Sequence, residues 1–295
     1  MYENITIVVP SFNHGKYLPD LFGRLNKLID IGVKVYIIDD ASKDNSQDII
    51  TKFVSENNTS SISAVLKKNN KGLVDSLNTA LIDINTEYFY VISSDDLVIP
   101  EGFIEAIEYI SKNQEKDFVI FGALNVFADG HEKHAYGAKH EAFFSLPKDR
   151  RSLEIYYNHP SPILLQSTIF KSTALRSLNV FNLGLKFDDY PVFIKLFNSE
   201  FSFSFKPEIV ICKYNHHEEN TYKDYKKMYT MFLDVYKNMC PKELYVKSVS
   251  QIWFVYFLRV VRDLKLSDFG YFLVRFKMSY VFHLPYFVKN RLRRK

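Results

Sequence analysis

Cysteine is nearly missing from this 295-residue chain: Cys212 and Cys240 are the only two, and neither has CxxC spacing. Two isolated thiols argue against a disulfide framework and a structural zinc site, and they favour a reducing compartment. The opening Met-Tyr-Glu-Asn-Ile-Thr has neither a basic stretch nor a long apolar run, so no secretory signal is expected there. No apolar run approaches the roughly 20 residues that cross a bilayer as a helix. The best candidate, Ile252–Leu258, is cut by Arg259 and Arg262, so a transmembrane helix is not expected. GxGxxG and GxxxxGK[ST] are both missing, which leaves dinucleotide binding and P-loop phosphate chemistry without support. Internal repeats and low-complexity segments are missing as well.

Apolar residues make up 47% of the chain, ample for a core, and 20 Tyr and 26 Phe exceed what one core needs. That excess predicts an exposed aromatic surface, for sugar stacking or a membrane interface. The net charge of +4 is uneven: residues 251–295 hold ten Lys/Arg and two Asp, a local +8, leaving about −4 for the rest. A mildly acidic body thus precedes a basic, aromatic tail.

Apolar runs at Ile5–Val9, Val35–Ile38, Ile62–Leu66, Tyr88–Ile92 and Phe118–Phe121 read as strands. Between them lie helical patterns, one able to start at a Ser46 cap, one opened by Gly72 and one started by Pro100. This alternation predicts an α/β fold, a mostly parallel sheet flanked by helices. Residues 128–150 are polar and read as a long loop. A helix near 188–198 and a strand at Ile209–Lys213 follow, and from Tyr222 the pattern is helical. Two regions are expected: an α/β domain over 1–221 and a helical, basic and aromatic appendage over 222–295.

Acidic clusters stand just after apolar runs: Asp39-Asp40 with Asp44, Asp95-Asp96, Asp188-Asp189, and His216-His217-Glu218-Glu219. In open α/β sheets ligands bind at the carboxyl ends of strands. Carboxylates gathered there repel each other and suit a divalent cation, a proton or a polyhydroxylated ligand. Each cluster also has a plainer reading. Ser11 or Asn13, after Pro10, can cap the next helix, and Asp44 suits a helix N-terminus. Lys71, before Gly72, marks a helix start or offers a charge to phosphate. Asp95 and Asp96 suit a hard cation that also binds phosphate oxygens, or a solvated turn. Asp188 or Asp189 can cap a helix or take a proton from a substrate hydroxyl. His217, with His216, can supply a metal ligand or touch a diphosphate, or be an ordinary surface histidine.

Pro10-Ser-Phe-Asn13, Asp39-Asp40 through Asp44, Asn70-Lys71-Gly72, Ser93-Ser-Asp95-Asp96, Gln166-Ser-Thr168, Asp188-Asp189 and Tyr214-x-x-His217-x-x-Asn220 stand in this order. The series, over roughly residues 4–221, resembles the successive motifs of family 2 glycosyltransferases with the GT-A fold. That resemblance implies an inverting, metal-dependent transfer from a nucleotide-diphospho-sugar, a UDP-sugar foremost, with Mn2+ or Mg2+. Pro10, Ser11, Asn13, Asp40, Lys71, Gly72 and Asp95 would line the donor. Asp96 would be the direct metal ligand, with Asp95 and His217 beside it. Asp189, or Asp188, would be the base. Three departures stand out: Ser93 where the family often has an acid, Asp188 where it often has Glu, and Asn215 where it often has Arg.

The acceptor implied is a glycan or lipid-linked sugar in bacterial surface polysaccharide synthesis, capsule or lipopolysaccharide. The expected location is the cytoplasm, peripheral at the inner membrane face, with anionic lipid meeting residues 266–295 and no nucleic acid partner. The alternative from another class is a non-catalytic nucleotide-sugar-binding or scaffold subunit of a glycan assembly complex. A nucleotidyltransferase is disfavoured, because no Gly-rich, basic loop follows strand one.

Overall fold

In the computed structural model, residues 2–57, 60–218 and 220–292 are described. Glu219 of the fourth cluster and Arg293, Arg294 and Lys295 of the basic end lie outside them. The chain forms two compact units. The first comprises Met1–Gly137, Pro162–Val192 and Ser199–His217; the second comprises Ala138–Ser161, Phe193–Asn198 and Glu218–Lys295.

The first unit is built on one sheet with the order β3-β2-β1-β4-β8-β6-β9-β5, and β7 on β6. Its strands are β1 (Ile5–Ser11), β2 (Lys34–Asp39), β3 (Ile62–Leu66), β4 (Tyr88–Val91), β5 (Leu97–Val98), β6 (Phe118–Val126), β7 (Glu132–His134), β8 (Thr168–Lys171) and β9 (Phe203–Asn215). β1, β2, β3 and β4 pair in parallel, and so do β6 and β9. β8 runs against both β4 and β6, so those six strands share one direction. Their carboxyl ends therefore open on one edge, and Ser11 faces Asp39 there while Val126 faces Asn215.

The helices between the first strands have apolar faces of period 3.6, which is why they cover the sheet. α1 (Leu18–Ile29) buries Leu18, Leu21, Phe22, Leu25, Leu28 and Ile29. Phe22 stacks on Phe53 of α2 (Ser46–Asn57) with ring centroids 4.0 Å apart. α3 (Leu73–Asp83) and α4 (Pro100–Lys112) complete this set, with Gly72 before one and Pro100 opening the other. Two glycines let backbones meet: a Cβ on Gly102 would lie 1.9 Å from the Val210 carbonyl, and one on Gly122 2.3 Å from that of Pro207. Only glycine permits approaches this close.

Two expectations change. The polar stretch 128–150 contains β7 and α5 (Ala138–Phe144), and α6 (Lys148–Tyr157) begins inside it. His140, Phe143 and Phe144 are buried in α5, so a short apolar cluster forms a helix that polar flanks had hidden. Ser46 begins α2 but does not cap it; Asp44 accepts its N–H at 3.0 Å.

After α7 (Ser172–Leu178) and α8 (Tyr190–Phe197), the helical unit follows with α9 (Tyr225–Met239), α10 (Lys242–Arg262), α11 (Leu266–Val274) and α12 (Leu284–Leu292). Among the described residues α10 alone is long and apolar enough to cross a membrane, yet half of its apolar window is buried. Trp253 stacks on Phe257 at 4.7 Å and donates its indole N–H to the Phe272 carbonyl at 2.9 Å. Its face is therefore committed to the unit's own core.

Candidate active site

The site grows from strand ends. Beyond β1 the chain turns through Asn13, whose φ of +56° is tolerated by Asn, and the Asn13 Oδ1 accepts the Lys43 N–H at 2.7 Å. Ser11 ends the strand with its Oγ buried and without a hydrogen-bond partner among the described residues. Pro10 pairs with Ile38, so Pro10, Ser11 and Asn13 stand at one rim beside the end of β2.

Asp40 follows β2 and is only 4% exposed. Its carboxylate accepts the Lys71 N–H at 3.0 Å, the Gly72 N–H at 2.6 Å and the Lys67 ammonium at 3.1 Å. Burial pushes the carboxyl up, but those donors outweigh it and hold Asp40 below the usual carboxylate range. Gly72 has φ +91° and ψ 163°, a conformation essentially reserved for glycine. Asp40 thus clamps the Lys71-Gly72 turn, and the Lys71 side chain stays exposed.

Asp95 and Asp96 follow β4 and separate sharply. Asp96 is 2% exposed. One of its oxygens accepts the Asn215 N–H at 2.8 Å and the other the Gln166 amide at 3.2 Å. Burial, then the neighbouring Asp95 charge, push its carboxyl well above the ordinary value. Asp96 is therefore held within the floor of the site, with a donor on each carboxylate oxygen. Asp95 points the other way: its Oδ2 lies 3.0 Å from His217 Nε2 and 3.9 Å from His14 Nε2.

His14 is the residue that sequence reasoning missed. Its Nδ1 lies 2.8 Å from Ser94 Oγ, and Tyr17 stands between the two histidines, 5.6 Å from His14 and 5.2 Å from His217. Asn13-His14-Gly15 carries no periodic signal; only its place after the Pro10 turn could have marked it. His216, by contrast, leaves the site. It stacks on Phe127 at 4.6 Å and lies 2.9 Å from Asn125 Oδ1. Successive residues at the end of β9 face opposite ways, so only His217 reaches Asp95.

Gln166 ties this floor together. Its amide reaches Ser93 Oγ at 3.3 Å as well as Asp96, and its carbonyl accepts the Tyr90 hydroxyl at 2.7 Å. Asn215, the departure from the family pattern, donates its side-chain amide to the Asp95 carbonyl at 2.7 Å. A neutral amide stapled to the backbone thus stands at this departure from the family pattern.

Asp188 and Asp189 precede α8. The Tyr190 N–H donates to Asp189 Oδ1 at 2.5 Å, so the helix-start reading holds in part. Burial, then the charge of Asp188, push Asp189 well above the usual carboxylate range, and burial raises Asp188 too. A carboxylate raised in this way is a stronger base than a solvated one.

The donor set fits a hard cation of low protein coordination. Asp95 and His217 offer two ligands, and among the described residues no three His, Cys, Asp or Glu side chains gather into a cage. Mg2+ and Mn2+ sites that share a phosphate ligand are built this way.

Comparison with known proteins bears on the family and the fold. Residues 6–173 match the model of glycosyl transferase family 2. Glycosyltransferase GlyG of Streptococcus pneumoniae is 30% identical over 125 residues, 42% of this chain and 40% of that one. The chain therefore spans well under half of that relative's length. S. aureus TarS 1–349 in complex with UDP-GlcNAc superposes with a TM-score of 0.59 at 15% identity, over 97% of this chain and 81% of that one. The mannosyltransferase PcManGT from Pyrobaculum calidifontis, in complex with GDP-Man and Mn2+, gives 0.57 at 12% identity, over 98% and 86%. At such identities the likeness speaks for the GT-A-type fold. The family match covers more than half of the chain, and with the ordered strand-end motifs it gives the assignment: the chain belongs to glycosyl transferase family 2.

Proposed function

We propose that the protein transfers a sugar from a nucleotide-diphospho-sugar to a hydroxyl of a glycan or lipid-linked acceptor, with inversion at the anomeric carbon. The observation that carries this reading is the Asp95–His217 pair at 3.0 Å, on the same sheet edge as the Asp40-clamped turn. Asp95 and His217 would hold Mn2+ or Mg2+, which when bound neutralises the charge of the departing diphosphate. The Lys71-Gly72 turn, fixed by Asp40, presents the rim on which the nucleotide rests. Asp96 stays inside and stiffens the segment that carries Asp95. Asp189 takes the proton of the acceptor hydroxyl, and its raised affinity for protons suits that task. Asp188 beside it supports the raised value through its charge.

The acceptor belongs, in this reading, to bacterial surface polysaccharide synthesis at the inner face of the cell membrane. The basic, aromatic segment 251–295 supports that placement. A panel of UDP-, GDP- and dTDP-sugars tests the donor: one of them raises Tm with Mn2+ and loses the effect in EDTA. Product NMR with that donor and a glycolipid acceptor reads the anomeric configuration. Retention of configuration overturns the single-displacement mechanism. No stabilisation by any donor overturns the reading as a whole.

A further inference from the structure

The helical unit holds a cavity of about 720 Å³. Lys223, Lys227, Arg262 and Lys265 line it, against the acids Glu218 and Asp224. The pairings inside it leave donors over. Asp263 takes Nε and one Nη of Arg262, at 2.6 and 2.9 Å, while a guanidinium has five N–H donors. Lys265 is fixed over the Tyr225 ring at 4.2 Å, with its ammonium on the Lys223 carbonyl at 2.6 Å. Glu218 holds Lys223 at 2.7 Å but is 94% exposed, a weak pair that a phosphate can replace.

A second, independent feature lies in the same segment. Of the nineteen large hydrophobic residues exposed among those described, eleven fall between Val261 and Val288. Leu264 is 79% and Leu266 81% exposed, and they alternate in the chain with Arg262 and Lys265 of the pocket. Val274 and Phe282 reach 85% and Met278 75%. Apolar exposure on this scale marks a surface that meets something less polar than water.

Leu264 sharpens the point. Helix α10 ends with the Lys265 N–H on the Val260 carbonyl at 3.0 Å and the Leu264 N–H on the Val261 carbonyl at 3.3 Å. That is a Schellman ending, whose left-handed residue is usually Gly and sometimes Asn. Here it is Leu264 at φ +51°. The chain keeps a strained leucine, turned to solvent, where a glycine would fit without strain.

We propose that this pocket binds the phosphate headgroup of an anionic membrane lipid, with Leu264 and Leu266 entering the acyl region beside it. The proposal deepens, and rests on, the membrane placement in the function proposed above. It differs from simple charge attraction by the basic tail, because it requires both a specific cavity and buried leucines. The local excess of +8 over residues 251–295 complements an anionic bilayer.

The test is flotation of the full chain with phosphatidylcholine vesicles, with and without phosphatidylglycerol. The expected result is binding that needs phosphatidylglycerol. Lys227→Glu with Arg262→Glu should lower it by about tenfold or more, since two attractive charges at the anionic surface become repulsive. Lys227 follows the Asp224 N-cap, which accepts its N–H at 2.9 Å, so Glu at that place completes a capping box and α9 should not suffer. Leu264→Asn should lower vesicle binding several-fold at both low and high salt while Tm holds or rises. A loss at low salt alone, or no loss, removes the leucine from the contact. If inorganic phosphate raises Tm as the vesicles do and phosphatidylglycerol brings no preference, the pocket serves a free phosphate and the lipid proposal fails. If Leu264→Asn changes the mass in solution and leaves flotation intact, the surface is an interface between copies. If the wild type floats with neither kind of vesicle, the membrane placement fails, and donor-dependent thermal shifts still report separately on sugar transfer.

Discussion

Two groups of aspartates in the α/β unit have the same chemistry and opposite fates. Around the end of β2, Asp39, Asp40 and Asp44 are wrapped in donors. Asp39 accepts the Ser42 N–H at 2.9 Å and the Gln47 amide at 2.8 Å, and Asp44 accepts the Gly15 N–H at 2.9 Å and the Ser46 hydroxyl at 2.6 Å. For Asp40 and Asp44 burial works against ionisation, yet those donors hold both below the ordinary value. Around the end of β4 and the start of α8, buried Asp96 and half-buried Asp188 and Asp189 have fewer donors and like-charged neighbours, and all three are pushed up. A satisfied carboxylate is a structural part. An under-satisfied one, Asp189 above all, is held ready for a proton.

The contrast can be broken most severely at Asp95. Asp95→Ala should cost about 10³-fold in transfer, because the charge facing the leaving group is lost, while far-UV CD and Tm stay close to wild type. Activity unchanged in this variant and lost in Asp96→Asn would return the metal to Asp96. Asp189→Asn comes next, with turnover down by roughly 10²-fold and donor affinity kept. Its stability should move the other way. A folded-state pKa above the unfolded one means that ionised Asp189 destabilises the native state at neutral pH, and that stability is recovered as pH falls. The neutral Asn should therefore raise Tm at pH 7. The same shift puts the acid limb of the wild-type kcat profile above the range of a solvated carboxylate. A limb near 4, or Asp188→Asn as the dead variant, would reassign the base.

Among the satisfied acids the effect should lie in stability. Asp40→Asn leaves the Lys67 ammonium facing a neutral group and weakens the clamp, for about 2–3 kcal/mol in urea unfolding at pH 7. Because the folded value of Asp40 is depressed, this contribution is present above the unfolded pKa and disappears as pH falls through the folded one. The difference between variant and wild type should therefore shrink at acid pH, and a difference that grows there would contradict the clamp. Asp44→Ala is the smallest, about 1 kcal/mol, the loss of a helix-start cap. Measurable loss of donor binding in this variant would move Asp44 into the functional group.

How far these groups could be read in advance differs in the same way. β1 to β4 and their helices follow one period after another, so their strand ends, and the acids on them, were legible. Which acids are satisfied was not, because the donors come from far along the chain: Lys71 and Gly72 for Asp40, Gln166 and Asn215 for Asp96. β5, β7 and β8 are two to four residues long, too short for any alternation to show. α5 was masked by its polar flanks, and His14 by the lack of any pattern around it. The exposed apolar surface of 261–288 was foreshadowed by the aromatic and basic bias of the tail, but the cavity beside it depends on a tertiary meeting of residues 223–227 with 262–265.

The short strand β5 has a wider consequence. Leu97 and Val98 pair with Lys213 and Cys212, so residues 92–96 form an arch hung between β4 and β9. Its crown is tied again to β9 through Asn215. An arch pinned at both feet and at its crown cannot lengthen by one residue without slipping two strand registers together. Insertions and deletions should therefore be filtered out of residues 92–96 and accumulate elsewhere, leaving new sugar specificities to arise in segments whose length is free to drift.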